Sequence, residues 1–322
     1  MKRIAITGPT GAIGMALIEL CIQRKIEVLA ICHKSSKRIG NIPTSELIKI
    51  VEADLADYTT LDEKELGTCD GLIHLAWNGT TGNARNDMIL QSHNIEYTMD
   101  AVNLAYRLGC QFFIGAGSQA EYGRVEGNLN AQVPTNPENG YGMAKLCAGQ
   151  MSRIMCEGLG MRHIWTRILS VYGPYDGEQS LVSTAIRKFE NGENGAFTEG
   201  KQKWDYLYSK DAAKIILALG ERGKNGKVYC LGSGKVQELR SYIEKIYDVI
   251  REYQQRPEED AMERAEHLGF GKIPYFAKQV MYLCADIHDL EEDIGKIEFT
   301  SFEDGIRETS IVESEKRTLN FS

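Results

Sequence analysis

The chain has 322 residues, 43% hydrophobic and 25% charged, which is ordinary for a folded protein and excludes fibrous and extensively disordered classes. A formal net charge of −8, with no large Lys/Arg cluster, leaves no electrostatic footprint for nucleic acid. There is no run of 18 apolar residues to cross a membrane. MKRIAITG enters a strand without an apolar signal region, and the eight cysteines lack zinc-site spacing, so the expectation is a cytoplasmic chain with reduced thiols and no metal.

In chain order, RIAIT (3–7), EVLAIC (27–32), IKIVEA (48–53), GLIHLA (71–76) and QFFIGA (111–116) are short β-branched or apolar runs. Longer helical patterns separate them, the order of a parallel sheet covered by helices. AIGMALIELCIQRK puts Ile13, Leu17, Leu20 and Cys21 on one helical face, and the segment ending at Leu108 repeats apolar residues at three- and four-residue steps. A further helix starting near Tyr141 leads into the strand RHIWTRI. Beyond Ser170 the rhythm breaks at VYGPYDGEQS, a Gly- and Pro-containing turn region. The expected architecture is α/β: a Rossmann-type doubly wound parallel sheet from residues 1–170 and about 204–232. A smaller C-terminal substrate-binding region takes about 171–203 and 233–322.

TGPTGAIG sets Gly8, Gly11 and Gly14 between the first strand and the first helix. There the backbone turns tightly and the helix N-terminus meets a pyrophosphate, with Thr10, Ala12 and Ile13 completing the cradle. The second strand ends in ICHKSSKR. An acidic residue at this position would bind the adenosine ribose; the cations here, His33, Lys34 and Arg38, favour the 2′-phosphate of NADP(H), with NAD(H) left open. Asp54 and Leu55, after the third strand, suit an adenine amino group and ring face, and Asp54 also suits a helix cap.

NGYGMAKLCAG spaces Tyr141 and Lys145 four apart, one turn along a helix. A phenol titrates near 10, and a neighbouring ammonium lowers that value enough for Tyr141 to exchange a proton near neutrality.

Taken with Asp54, HLAW and the run GAGSQAEYG, these features in this order resemble the extended short-chain dehydrogenase/reductase family, in particular its nucleotide-sugar epimerases, dehydratases and ketoreductases. The resemblance spans essentially the whole chain. RILSVYGP is similar to the motif after the sixth strand, with Ser170 where asparagine is frequent. WDYLYSKDAA is similar to a later motif, with Trp204 where a phosphate-binding arginine is frequent. FTSFEDGIRET is similar to the C-terminal end. The resemblance implies that Ser118 hydrogen-bonds the reacting oxygen, Tyr141 exchanges its proton and Lys145 holds the nicotinamide ribose. It sets Leu75, Ala76, Trp77, Asn94 and Ala116 along the cofactor, and gives His74 a packing role. Asn78, Thr80, Gln119, Ser170, Tyr172, Tyr175, Arg187 and Trp204 are expected to line the substrate cleft, Arg187 toward a pyrophosphate. A homodimer through the helices 86–108 and 141–160 is also implied.

Dehydratases of this family carry an acidic pair directly after the serine. Gln119 and Ala120 stand there instead, and neither transfers a proton well, so dehydration is not expected. The basic loop tilts the remaining choice toward NADPH-dependent reduction of a nucleotide-linked 4-keto-6-deoxy sugar. A nucleotide-sugar epimerase is the alternative. A silent cofactor-sensing protein is a third reading, against which both Tyr141 and Lys145 are present.

Overall fold

The computed structural model describes residues 1–320, with side chains through Glu315. The N-terminal part alternates β1 (Arg3–Thr7), α1 (Ala12–Gln23), β2 (Glu27–Cys32), β3 (Ile48–Glu52), α2 (Glu63–Leu66), β4 (Gly71–His74), α3 (Met88–Arg107), β5 (Phe112–Ser118), α4 (Gly140–Gly158) and β6 (Arg162–Ile168). Then follow β7 (Ser170–Tyr172), α5 (Leu181–Glu190), β8 (Lys203–Trp204), β9 (Tyr206–Tyr208), α6 (Ser209–Arg222) and β10 (Lys227–Leu231). The chain continues with β11 (Gln237–Glu238), α7 (Leu239–Tyr253), α8 (Ala261–Leu268), β12 (Tyr282–Leu283), α9 (His288–Ile294) and α10 (Phe302–Asn320).

Seven strands form one sheet in the order β3-β2-β1-β4-β5-β6-β10, and every neighbouring pair is parallel. A parallel sheet is covered on both faces, and alternation within β1 shows how. Ile4 and Ile6 enter a core with α1 and α6, while Ala5 enters the opposite core with Val102 and Leu104 of α3. The six strands expected from the sequence are all present, with β10 closing one edge.

A second core gathers Tyr172, Val182, Ile186 and Phe189 with Ile243, Tyr247 and Ile250 of α7 and Ile306 of α10. This is the smaller region, braced by the β8-β11-β12 sheet and by β7 pairing with β9. Two departures from the expected division occur: β8 and β9, expected with the main region, pair with β11, β12 and β7 instead, and α9 departs in the other direction. Leu290 and Ile294 of α9 are buried in the α1/α6 core beneath the main sheet, so α9 packs with the larger region, not with the cap. A seven-residue amphipathic helix carries no information about which of two cores receives it.

Candidate active site

The carboxyl ends of β1, β4 and β5 meet at one edge of the sheet, where doubly wound folds bind ligands. The glycine loop has distinct demands at each position. Gly8 has φ +66°, and a Cβ there would lie 2.8 Å from the Ala76 backbone nitrogen. A Cβ on Gly14 would lie 2.6 Å from the Pro9 backbone, whereas one on Gly11 would meet nothing closer than 4.0 Å. The first and third glycines therefore close the loop, and the second opens onto free space. Gly11 is also the N-cap of α1, with no side chain capping the helix and no acidic residue in its first turn. The exposed N–H groups and helix dipole fit the pyrophosphate of a dinucleotide. Thr10, Ala12 and Ile13 are partly buried at this turn, and Ala76 N donates to Thr7 Oγ1 at 3.3 Å.

At the far end of the cradle the basic loop is partly neutralised. Lys34 Nζ pairs with Asp57 at 2.9 Å, His33 Nε2 lies 3.5 Å from Asp54, and Arg38 donates to the Tyr175 carbonyl at 3.3 Å. Asp54 caps the turn Leu55–Asp57 in a reciprocal box with Asp57. Leu55, expected as a face for adenine, is buried among Ala53, Tyr58 and Leu66.

The candidate reacting centre lies where β5 ends. Ser118 accepts from Ala120 N at 3.2 Å, and its hydroxyl hydrogen-bonds the Tyr141 phenol. Asn139 caps α4 by accepting from Gly142 N at 2.8 Å, which fixes the first turn carrying Tyr141. His74 is buried with Nδ1 2.8 Å from Thr7 Oγ1, a packed strand residue whose pKa burial pushes down to about 3. Lys145 is 3% exposed. Its Nζ donates to Ala116 O at 2.6 Å, 3.7 Å from the Trp77 ring centroid and 5.8 Å from that of Tyr141. Burial pushes Lys145 down to about 7, with the Glu121 carboxylate opposing.

Both Lys145 Nζ, at 5.8 Å, and the Arg85 guanidinium lie over the Tyr141 ring. Burial raises the phenol, and the groups pulling it down are Ser118 and the Arg85 guanidinium, 4.3 Å from the ring centroid. Arg85 was not singled out in the sequence, because it lies in the loop before α3 with no motif around it.

Glu121 also gained no role from the sequence, and it supports the centre from below. Fully buried, it accepts from Ser118 N at 2.8 Å, Trp165 Nε1 at 3.0 Å and Arg167 Nε at 2.7 Å. The glycines ahead of Ser118 serve this arrangement. A Cβ on Gly115 or Gly117 would fall 2.2 or 2.3 Å from the Trp165 ring, so their smallness admits that indole.

The loop after β4 is held by α3. Asn94, 1% exposed, bonds both backbone groups of Asn78, at 3.0 and 2.9 Å. Gln91 accepts from Trp77 Nε1 and donates to the Gly79 and Ala84 carbonyls, each at 2.9 Å. Asn94 thus bonds backbone beside the cofactor edge, and Leu75 N extends that edge by donating to Thr7 O. Thr80 is exposed, its carbonyl accepting from Arg85. Gln119 is half-buried at the start of the turn after Ser118.

Toward the cap lies a cavity of 590 Å³ lined by Ser170, Trp204, Phe197, Gln202, Tyr206 and Phe276 among others. Trp204 Nε1 donates to Ser170 Oγ at 2.7 Å, so the two residues that depart from the family motifs are joined to each other. Three expected linings lie elsewhere, and the first, Tyr175, packs against the α1/α6 core with its carbonyl accepting from Arg38. Tyr172 is 1% exposed in the cap core, with its hydroxyl on the Phe302 carbonyl, because β7 turns it inward. Arg187 donates to the Glu178 carbonyl and lines a separate 270 Å³ cavity with Glu190 and Glu313, since it lies on the opposite side of α5 from Val182.

The sequence profile of the NAD dependent epimerase/dehydratase family matches residues 4–232. An ADP-L-glycero-D-manno-heptose-6-epimerase of Pseudomonas aeruginosa is 23% identical over 94% of this chain and 96% of its own. Among solved structures, a UDP-N-acetylglucosamine 4-epimerase from Methanobrevibacter ruminantium superposes with a TM-score of 0.84 at 24% identity, covering 98% and 99% of the two chains. A dTDP-glucose 4,6-dehydratase from Streptomyces venezuelae gives 0.81 at 18% identity, covering 98% of each. With its glycine loop, its cluster of Ser118, Tyr141 and Lys145 and a profile match over more than half its length, the chain belongs to the NAD dependent epimerase/dehydratase family, and is an enzyme of the extended short-chain dehydrogenase/reductase type.

Proposed function

We propose that this enzyme reduces the 4-keto carbon of a nucleotide-linked 4-keto-6-deoxy sugar. The bound reduced dinucleotide, preferably NADPH, supplies the hydride. Tyr141 gives its proton to the alkoxide oxygen, and Ser118, itself held by Glu121 through its backbone N–H, steadies that oxygen. The observation that carries the reading is the turn after Ser118: Gln119 takes the place of an acid, and Ala120 is buried with no proton to give. That removes elimination and leaves hydride transfer at one carbon. The apolar and aromatic cavity toward the cap supports a nucleotide as the non-reacting end of the substrate.

A second reading, a nucleotide-sugar epimerase, is favoured by a different observation. Asp57 and Asp54 engage Lys34 and His33, which weakens the loop as a 2′-phosphate site and suits NAD retained through turnover. Incubation with NADPH or NADH and a panel of nucleotide 4-keto sugars separates the two. Net dinucleotide oxidation is the reductase outcome; a new epimer without it is the epimerase outcome. In either case Tyr141→Phe reduces turnover at least ~10³-fold, while dinucleotide binding measured by calorimetry persists. The eight free cysteines, seven of them buried, fit a reducing cytoplasmic setting. Among the described residues no helix is long and apolar enough to cross a membrane.

A further inference from the structure

We propose that Trp77 is a positioning residue for Lys145, its indole face holding the buried ammonium in place and favouring the charged form over the neutral amine. This rests on the reading of Lys145 as a cation of the Ser118, Tyr141 and Lys145 cluster, and it gives the indole that closes HLAW a task beyond lying along the cofactor.

Three observations carry it. The first is placement: Lys145 Nζ is 3.7 Å from the Trp77 ring centroid, well within cation–π range, and the same indole meets the Tyr141 ring at 6.1 Å and 84°. The second is how few other groups receive the ammonium. Lys145 is 3% exposed and its Nζ donates to Ala116 O at 2.6 Å, while the Glu121 carboxylate that favours its charge is itself paired with Arg167 at 2.7 Å. An ammonium carries three donors, and a ring face attracts it without needing an acceptor atom. The third is how firmly the indole is held. Trp77 Nε1 donates to Gln91 Oε1 at 2.9 Å, and Gln91, 2% exposed, is fixed in turn by donating to the Gly79 and Ala84 carbonyls. Asn94 Nδ2 donates to the same Gln91 oxygen at 3.3 Å. Side chains of α3 thereby set the indole over a lysine that α4 carries.

The titratable and charged groups facing Lys145 are Glu121 from the turn after β5, Tyr141 from α4, His74 from β4 and, across the Tyr141 ring, Arg85 from the turn before α3. Burial favours the neutral amine and brings Lys145 down to about 7, and Glu121 opposes that. His74, lowered to about 3, and Tyr141, raised by burial, are both neutral near this pH. The indole acts on the same side as Glu121, because its quadrupole attracts the ammonium far more than the amine. Lys145 thereby remains a cation beside Tyr141 in a setting whose burial alone would discharge it.

The test needs no substrate. Protein labelled at the lysine carbon bearing nitrogen is titrated by NMR, with Lys145→Met identifying the Lys145 resonance. Trp77→Leu lowers the Lys145 midpoint by about one pH unit relative to the unsubstituted protein. Trp77→Phe, which keeps a weaker ring face and loses the indole N–H, lowers it by less than half as much. An unchanged midpoint in Trp77→Leu overturns the proposal. An equal fall in both variants also overturns it, because the bond to Gln91 and not the ring face would then be acting. Should Trp77→Leu fail to fold, Trp77→Phe decides by itself: a lowered midpoint supports the proposal and an unchanged one overturns it. A separate pH–rate profile reports on the proposed reaction: loss of turnover in Trp77→Leu with an unmoved Lys145 midpoint would refute the role of Trp77 and leave Tyr141 as the proton donor.

Discussion

At the scale of single residues, the centre depends on buried polar groups whose partners are distant in sequence. Glu121 and Arg167 are 0% and 5% exposed at the side chain and paired at 2.7 Å. Such a pair adds little net stability compared with apolar packing, but removing one charge leaves the other desolvated and unpaired. Glu121→Gln is expected to destabilise the fold by about 3 kcal/mol in urea unfolding. It also loosens the acceptor for Ser118 N, so kcat falls more than KM rises. The two buried histidines make a pH prediction. Burial lowers His163 to about 4 and His74 to about 3, from an ordinary value of 6.5. Below 6.5 the unfolded chain takes up protons that the folded chain refuses, so stability present above 6.5 is lost as the pH falls toward 4. By pH 5 the loss is about 2 kcal/mol per histidine, readable as a lower urea midpoint, and His163→Gln removes about half of that slope.

At the scale of elements, the loop before α1 separates folding from binding. Gly14 packs against the Pro9 backbone and Gly11 faces open space. Gly14→Ala should force the loop apart and lower the melting temperature, with loss of dinucleotide binding as a consequence. Gly11→Ala should leave the melting temperature of the protein alone unchanged while weakening dinucleotide binding at least ~10-fold, because its methyl intrudes only on the ligand. Differential scanning fluorimetry with and without dinucleotide distinguishes the two. The glycine triplet was legible in the sequence because strand, turn and helix are all local. Which glycine guards the fold and which the ligand was not, since Gly8 is constrained by Ala76, far along the chain.

At the scale of the molecule, α3 and α4 pack side by side and leave Met88 and Ile89 of α3 and Met143, Met151 and Ile154 of α4 exposed, Ile154 at 61%. An apolar surface of this kind supports the homodimer proposed from the family resemblance, with the two helices of each copy forming a four-helix seam. Ile154→Glu is expected to convert a dimer into a monomer in light scattering, with little change in the fold of each chain. The sequence by itself determined the parallel α/β plan and the strand, turn and helix around the glycine triplet, because periodicity and short-range motifs are written in neighbouring residues, whereas the roles proposed for Ser118, Tyr141 and Lys145 came from the family resemblance. Only the tertiary structure decided that Tyr172 and Arg187 leave the cleft, that α9 joins the main core, that Trp204 and Ser170 bond each other, and that Arg85 joins Lys145 over the tyrosine ring. Each of these depends on which of several possible partners a side chain meets once distant segments pack, and the local sequence carries no record of that choice.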